Sequence, residues 1–203
     1  MKSNPKMQKI IRDQIRSSLE LKERLLELPH IIEQIEKSAR AIISTYHEKN
    51  KLLLAGNGGS AADSQHIAAE LVNRFGFDRP GLNAIALTTD TSILTSIAND
   101  SGFKNVFARQ ADAIGNEGDV FIGFSTSGNS ENLVEALKIC RDKKILTIGL
   151  TGATGGKIAD LCDICIKVPS DDTPRIQEAH ILIGHLICHL VEQELFGSQN
   201  SGK

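Results

Sequence analysis

Residues 119–137 read DVFIGFSTSGNSENLVEAL. An apolar run ending at Phe124 meets a loop of four hydroxyls, Ser125, Thr126, Ser127 and Ser130, set around Gly128. A helical stretch follows near 130–142. A short, continuous apolar run bounded by turn residues reads as a strand buried on both faces. Strand, loop and helix in that order form the unit from which parallel sheets are built.

The same unit recurs on either side. LLLA (52–55) is a strand that leads through GNGGS into a helix near 60–75. NAIAL (83–87) is a second strand, followed by helical TSILTSIA, and residues 103–114 read as helix. With 119–124 as the third strand, KILTIGL (144–150) is the fourth and CDICIKV (162–168) the fifth. A long helix then spans Pro174 to Phe196. The expected fold is α/β: a doubly wound, mostly parallel five-stranded sheet flanked by helices, with its ligand at the carboxyl ends of the strands. Two further helices, 3–27 and 31–48, precede the sheet and part near Pro29. Their apolar residues recur at helical spacing: Ile11, Ile15 and Leu19 in the first, Ile31, Ile35, Ala39, Ile42 and Ile43 in the second. No strand comes before them to be covered. Subunit contact and packing on the domain's own core both account for these faces. The expected division is an N-terminal helical segment over 1–50, part of the same domain, then the α/β unit over 51–197 and a polar tail over 198–203.

A chain of 203 residues, 40% apolar and 24% charged, suits one ordered domain with a sizeable core. A net charge of −2, no tryptophan and a single tyrosine argue against a basic field or a base-stacking platform, so no nucleic-acid partner is expected. No apolar run approaches the roughly 20 residues that cross a bilayer, and MKSNPKMQKIIRDQIRSS has no signal-peptide core. No membrane role is expected, and the expected location is the cytoplasm, where four cysteines stay reduced. Cys162 and Cys165 form a CxxC pair. With no second pair and no adjacent helix start, they read as buried strand cysteines.

The loops Gly56–Ser60 and Ser125–Ser130 both leave strand ends and enter helices. A helix start offers unpaired backbone N–H groups and the positive end of its dipole, so it attracts anions. Hydroxyls add neutral donors, and glycine permits close approach. Together they cradle a phosphate without a lysine. The competing reading makes Ser60 and Ser130 ordinary helix caps. GNGGSA lacks the GK[ST] ending of a nucleotide P-loop and the GxGxxG spacing of a dinucleotide site.

Four stretches carry a resemblance: LLAGNGGSAADSQHIAAEL, ALTTDTSILTSIANDSGF, GFSTSGNSENL and VPSDDTPRIQEAHILIGH. They resemble the sugar isomerase (SIS) domain and, more narrowly, the phosphoheptose isomerases, over nearly the whole chain. The resemblance implies conversion of D-sedoheptulose 7-phosphate to D-glycero-D-manno-heptose 7-phosphate, in supply of bacterial heptose for lipopolysaccharide core precursors. It also implies a homotetramer and one zinc ion per subunit.

His66 and Glu70, four apart, share one helical face, a spacing common to metal sites and to plain solvated pairs. Gln177 and His185, eight apart, point broadly to one side of the last helix, whose start is marked by Thr173 as cap and Pro174 as first residue. By resemblance, His66, Glu70, Gln177 and His185 hold the metal, and Glu70 and His185 form the acid–base pair. His180 and His189 match no ligand position and read as structural. The resemblance further implies substrate contacts from Asn57, Gly58, Gly59, Ser60, Glu70, Asn99, Asp100, Ser125, Thr126, Ser127, Ser130 and Gln177. Asn99 and Asp100 read equally well as a helix-ending turn before Gly102. Pro174 stands where some relatives carry an aspartate assigned to ring opening, which leaves that role to Asp171 or Asp172 or to no residue. A second class of function stands beside the enzyme: SIS proteins that bind the replication initiator, or sense a sugar phosphate, without catalysis. The retention of all four ligand residue types favours the enzyme.

Overall fold

The computed structural model describes residues 4–200. Two helices lead, α1 (Pro5–Leu26) and α2 (Pro29–His47), then β1 (Leu52–Gly56) and α3 (Gly59–Val72). β2 (Ala84–Ala86), α4 (Thr91–Ser101), a 3-10 turn at Phe103–Asn105 and α5 (Ala108–Ile114) follow. β3 (Val120–Ser125), α6 (Glu131–Asp142), β4 (Leu146–Thr151), α7 (Gly156–Ala159), β5 (Ile164–Lys167) and α8 (Thr173–Asn200) complete the order.

The five strands form one sheet in the order β2-β1-β3-β4-β5, and every pairing is parallel. The chain leaves β1 toward one edge, then returns to β3 and builds toward the other. The order therefore reverses between β1 and β3, which opens a crevice at their carboxyl ends. Side chains alternate across the sheet. Leu52, Leu54, Val120, Ile122, Phe124, Ile148 and Leu150 join residues of α1, α2, α3 and α8 in one buried cluster. Leu53, Ala55 and Phe121 face the other way, against Val106, Phe107, Leu133, Leu137 and Ile158. The two-face burial explains why these strands read as unbroken apolar runs.

Several boundaries differ from the sequence reading. Residues 103–114, read as one helix, are a 3-10 turn followed by a separate helix, α5; Gly102, at φ +86°, ends α4 just before them. α3 stops at Val72, before the loop that contains Arg79. α8 begins at Thr173 and continues to Asn200, beyond Phe196; residues 1–3 and 201–203, which the expected first helix and tail include, lie outside the described residues. The short helix α7 has no counterpart in the sequence reading. Cys162 sits just ahead of β5, while Cys165 is within it, and both are half-buried with free thiols that burial pushes upward.

The leading helices divide the two readings between them. α2 packs on the core through Ile31, Ile35, Ala39 and Ile42. α1 buries only Leu21 and Leu25, leaving Ile11, Ile15 and Leu19 more than half exposed. Arg175 and Glu178 latch α1 to α8: Arg175 donates to the Gln14 carbonyl at 2.6 Å, and Ser18 Oγ donates to Glu178 at 2.6 Å.

Candidate active site

The crevice between β1 and β3 is bounded by the two loops singled out above. Asn57 and Asn132 bridge it: each side-chain amide donates to the other's carbonyl oxygen, at 3.0 and 2.8 Å. Asn132 lies on α6 and is buried, so the pair fixes the glycine loop against the helix that follows the hydroxyl loop.

In the hydroxyl loop, Ser125 closes β3 and its Oγ lies 2.9 Å from Ser130 Oγ, while the Gly128 amide donates to Ser125 Oγ at 3.1 Å. Ser127 Oγ accepts from the Asn129 amide at 3.1 Å. Ser130 precedes α6, yet its side chain makes no capping bond to the helix. The capping reading of Ser130 therefore does not describe its side chain: its carbonyl accepts from the Leu133 and Val134 amides, while no side chain caps the start of α6, where an anion can bind. The loop is braced from below. The Ile158 amide donates to the Gly128 carbonyl at 3.0 Å, and the Lys157 amide to Asn129 Oδ1 at 3.1 Å. Gly128 has φ +67°, and a Cβ there would fall on the Gly155 carbonyl. Close backbone packing is what this glycine permits.

In the glycine loop, Gly58 precedes α3 and Gly59 is its first residue. Ser60 is inside the helix and buried against Gly56, so it is not the cap. Gly59 meets α8: an added Cβ would lie 2.5 Å from Gln177 Nε2. Gln177 thus reaches the glycine loop across the site.

Further along the same two helices, His66 Nε2 lies 2.8 Å from His185 Nε2 and 3.2 Å from Glu70 Oε1. One donor atom from each of His66, Glu70 and His185 falls within 4.8 Å of the others. Nitrogen and oxygen ligands about 2.0–2.1 Å from a tetrahedral zinc stand roughly 3.3 Å apart. The His66–Glu70 spacing matches this, and the two imidazoles need to part by about half an ångström. Two neutral imidazoles at 2.8 Å share one proton, one ring donating to the other; a cation between them would engage both lone pairs. The donor set fits a zinc ion. Gln177 stands two helical turns from His185, about 12 Å of rise, with its amide against Gly59.

Other expected residues sit elsewhere. Asn99 and Asp100 occupy the last turn of α4, both exposed, with Asn99 Nδ2 donating to Asp100 Oδ1 at 2.8 Å. Among the described residues no hydrogen bond joins them to either loop. Asp171, Asp172 and Pro174 are exposed at the start of α8. His180 is fully buried: a ring nitrogen lies 3.2 Å from the Thr151 carbonyl, the other has no partner among the described residues, and burial lowers its pKa to about 4. Two residues absent from the sequence reading belong to the same region. Asn132 is one. Asp63, one turn before His66 on α3, is the other; burial raises its carboxyl to about 6, against the pull of His66, and its Oδ2 has no partner among the described residues. A lone aspartate in a helix carries no local signal of this kind.

The SIS domain model matches residues 16–152, from within α1 to just past β4. Gln177 and His185 lie beyond that match, within the stretch over which full-length relatives align. The chain is 60% identical over 190 residues to the phosphoheptose isomerase of Aneurinibacillus thermoaerophilus, covering 94% of this chain and 96% of that one. It is 59% identical over 193 residues to phosphoheptose isomerase 2 of Campylobacter jejuni, covering 95% and 96%. The structure of phosphoheptose isomerase from Neisseria gonorrhoeae superposes with a TM-score of 0.86 at 41% identity, covering 92% of this chain and 99% of that one. The domain match, the sequence identities and the superposition agree, and the chain belongs to the phosphoheptose isomerases of the SIS-domain family and is an isomerase.

Proposed function

We propose that the protein converts D-sedoheptulose 7-phosphate to D-glycero-D-manno-heptose 7-phosphate, a ketose–aldose exchange through an enediol. The observation that carries this reading is the convergence of His66, Glu70 and His185 beside two donor-rich loops at the reversal point of the sheet. The hydrogen that moves lies next to a carbonyl and is only weakly acidic, so a base must take it while charge on oxygen is stabilised. Glu70 is the proposed carrier of that proton between C1 and C2. Its Oε1 faces His66 at 3.2 Å, which leaves the second oxygen to receive the proton. His185 serves the oxygens, giving and taking a proton as the carbonyl changes carbon. The hydroxyl loop and the start of α6 hold the phosphate through neutral donors, and this distant anchor orients the reacting end. Asn57, Gly58, Gly59, Ser60 and Gln177 are assigned to the sugar chain, and Asn99 and Asp100 to the same substrate.

His66, Glu70, His185 and Gln177 are the residues proposed to hold a zinc ion, which when bound supplies Lewis-acid polarisation of the substrate oxygens. A homotetramer is proposed, supported by the exposed Ile11, Ile15 and Leu19 face of α1 and by an apolar groove of about 810 Å³ between α2 and α8. The remaining proposals are a cytoplasmic setting, with no described helix long and apolar enough to cross a membrane, and a role in supplying heptose for bacterial lipopolysaccharide core. The test is purified protein with sedoheptulose 7-phosphate, the aldose followed by NMR, beside Glu70→Gln. The parent is expected to turn over and the variant to lose a hundredfold or more while still binding phosphate. A variant with near-parental turnover means the base is another group.

A further inference from the structure

The reacting side chains sit on two helices, α3 and α8, and a buried ion pair joins those helices just beyond them. Arg79, on the loop after α3, has a side chain only 2% exposed. Its guanidinium donates to the carbonyls of Leu71 at 2.6 Å, Glu70 at 2.9 Å and Pro80 at 3.0 Å, and to Glu192 Oε1 at 3.1 Å. Glu192, on α8 two turns past His185, is 0% exposed and also accepts from the amides of Phe75 at 2.9 Å and Gly76 at 2.6 Å. Burial alone would raise the Glu192 carboxyl; the Phe75 and Gly76 amides and Arg79 outweigh it and hold it below the usual carboxylate range. The same loop lays the Phe75 ring 5.5 Å from the His185 ring. One guanidinium thus takes up the carbonyl of Glu70 itself at the end of α3, shares that of Leu71 with the Leu82 amide, and ties both to the helix that carries His185.

As a source of stability, a fully buried pair of this kind is a poor choice, because desolvation offsets most of its attraction. What it does supply is fixed geometry. We propose that Arg79 and Glu192 are positioning residues: their clamp sets the spacing of α3 and α8 at which His66, Glu70 and His185 converge. Lysine cannot replace this arginine, since a point charge does not fork to two carbonyls and a carboxylate together.

The inference rests on the reading of the site given above, and the experiment separates the two. Arg79→Lys and Glu192→Gln are compared with the parent and with Ile145→Ala, a buried core truncation at the opposite end of the sheet. Zinc affinity is measured by competition with a chromophoric chelator, coordination by the visible spectrum of the cobalt-loaded proteins, and kcat and KM with sedoheptulose 7-phosphate. Both clamp variants are expected to bind zinc about tenfold or more weakly, with an altered cobalt spectrum. Their kcat should fall about tenfold while KM stays within threefold, because the phosphate anchor is untouched. Ile145→Ala should lose stability and nothing else. Should Arg79→Lys fail to fold, Glu192→Gln decides by the same readouts. Clamp variants that match the parent in zinc affinity, spectrum and kcat while the parent binds zinc and turns over overturn the clamp alone. A parent that does neither overturns both readings.

Discussion

Replacing Gly59 by alanine separates the site from the fold. The added Cβ would lie 2.5 Å from Gln177 Nε2 and 2.9 Å from its Cδ and Oε1. Ordinary contact distances are about 3.5 Å or more, so the amide must retreat by roughly an ångström. It is the far end of a flexible side chain, and turning it off its preferred rotamer costs about 0.5–1.5 kcal/mol. Alanine in a helix is favoured over glycine by about 0.5–1 kcal/mol, so net stability should change by less than about 1 kcal/mol. A retreat of that size breaks a hydrogen bond. If Gln177 contacts the substrate or metal, about 1–3 kcal/mol of transition-state stabilisation is lost, a fall of roughly 5- to 150-fold in kcat/KM. Urea denaturation and an NMR turnover assay measure the two quantities on one preparation. Unchanged stability with kcat/KM within twofold of the parent would refute the placing of Gln177. A stability loss above about 3 kcal/mol would refute the argument that the side chain, not the backbone, yields.

The other glycine contact behaves oppositely: Gly128→Ala combines a positive φ with a backbone collision, so about 2–4 kcal/mol of stability and the binding of inorganic phosphate, read by calorimetry, should both fall. Asp63 gives a pH signature. Its folded carboxyl holds a proton up to about pH 6, whereas the unfolded chain releases it near 3.8. The folded state binds more protons between those values, so stability declines as pH rises through them. In EDTA-treated protein, Asp63→Asn should match the parent below pH 4 and exceed it above pH 6 by about 1 kcal/mol after screening at this half-buried site; a less stable variant at pH 7.5 refutes the assignment. Changing Ile11, Ile15 and Leu19 together to serine should convert the proposed tetramer to smaller species by light scattering, and an unchanged mass would remove α1 from the interface.

The sheet was legible because its strands are buried on both faces and lack polar interruptions, as Leu52–Ala55 and Val120–Phe124 illustrate. The loops were legible because small donors and glycines cluster at strand ends. His66 and Glu70 could be placed on one helical face by spacing alone. The partner of that face could not: Gln177 and His185 lie more than a hundred residues on, and only the family resemblance linked them to it. The Asn57–Asn132 pair and the brace from Ile158 to Gly128 depend on contacts between distant segments, so neither leaves a local pattern. NRFGFDRPG, which contains Arg79, reads as a polar loop, yet its arginine is among the most buried charged groups in the chain. The end of α4 at Gly102 was legible, but the split of 103–114 into a 3-10 turn and α5 was not, because apolar residues continue through Val106 and Phe107.

Crystals of the Glu70→Gln variant soaked with sedoheptulose 7-phosphate test the central claim most directly, since the substrate then persists. The account predicts the phosphate within hydrogen-bonding distance of the Ser125–Ser130 loop and the amides that open α6, with C1 and C2 beside residue 70 and His185. A phosphate held elsewhere, or carbons C1 and C2 remote from those two residues, would contradict it.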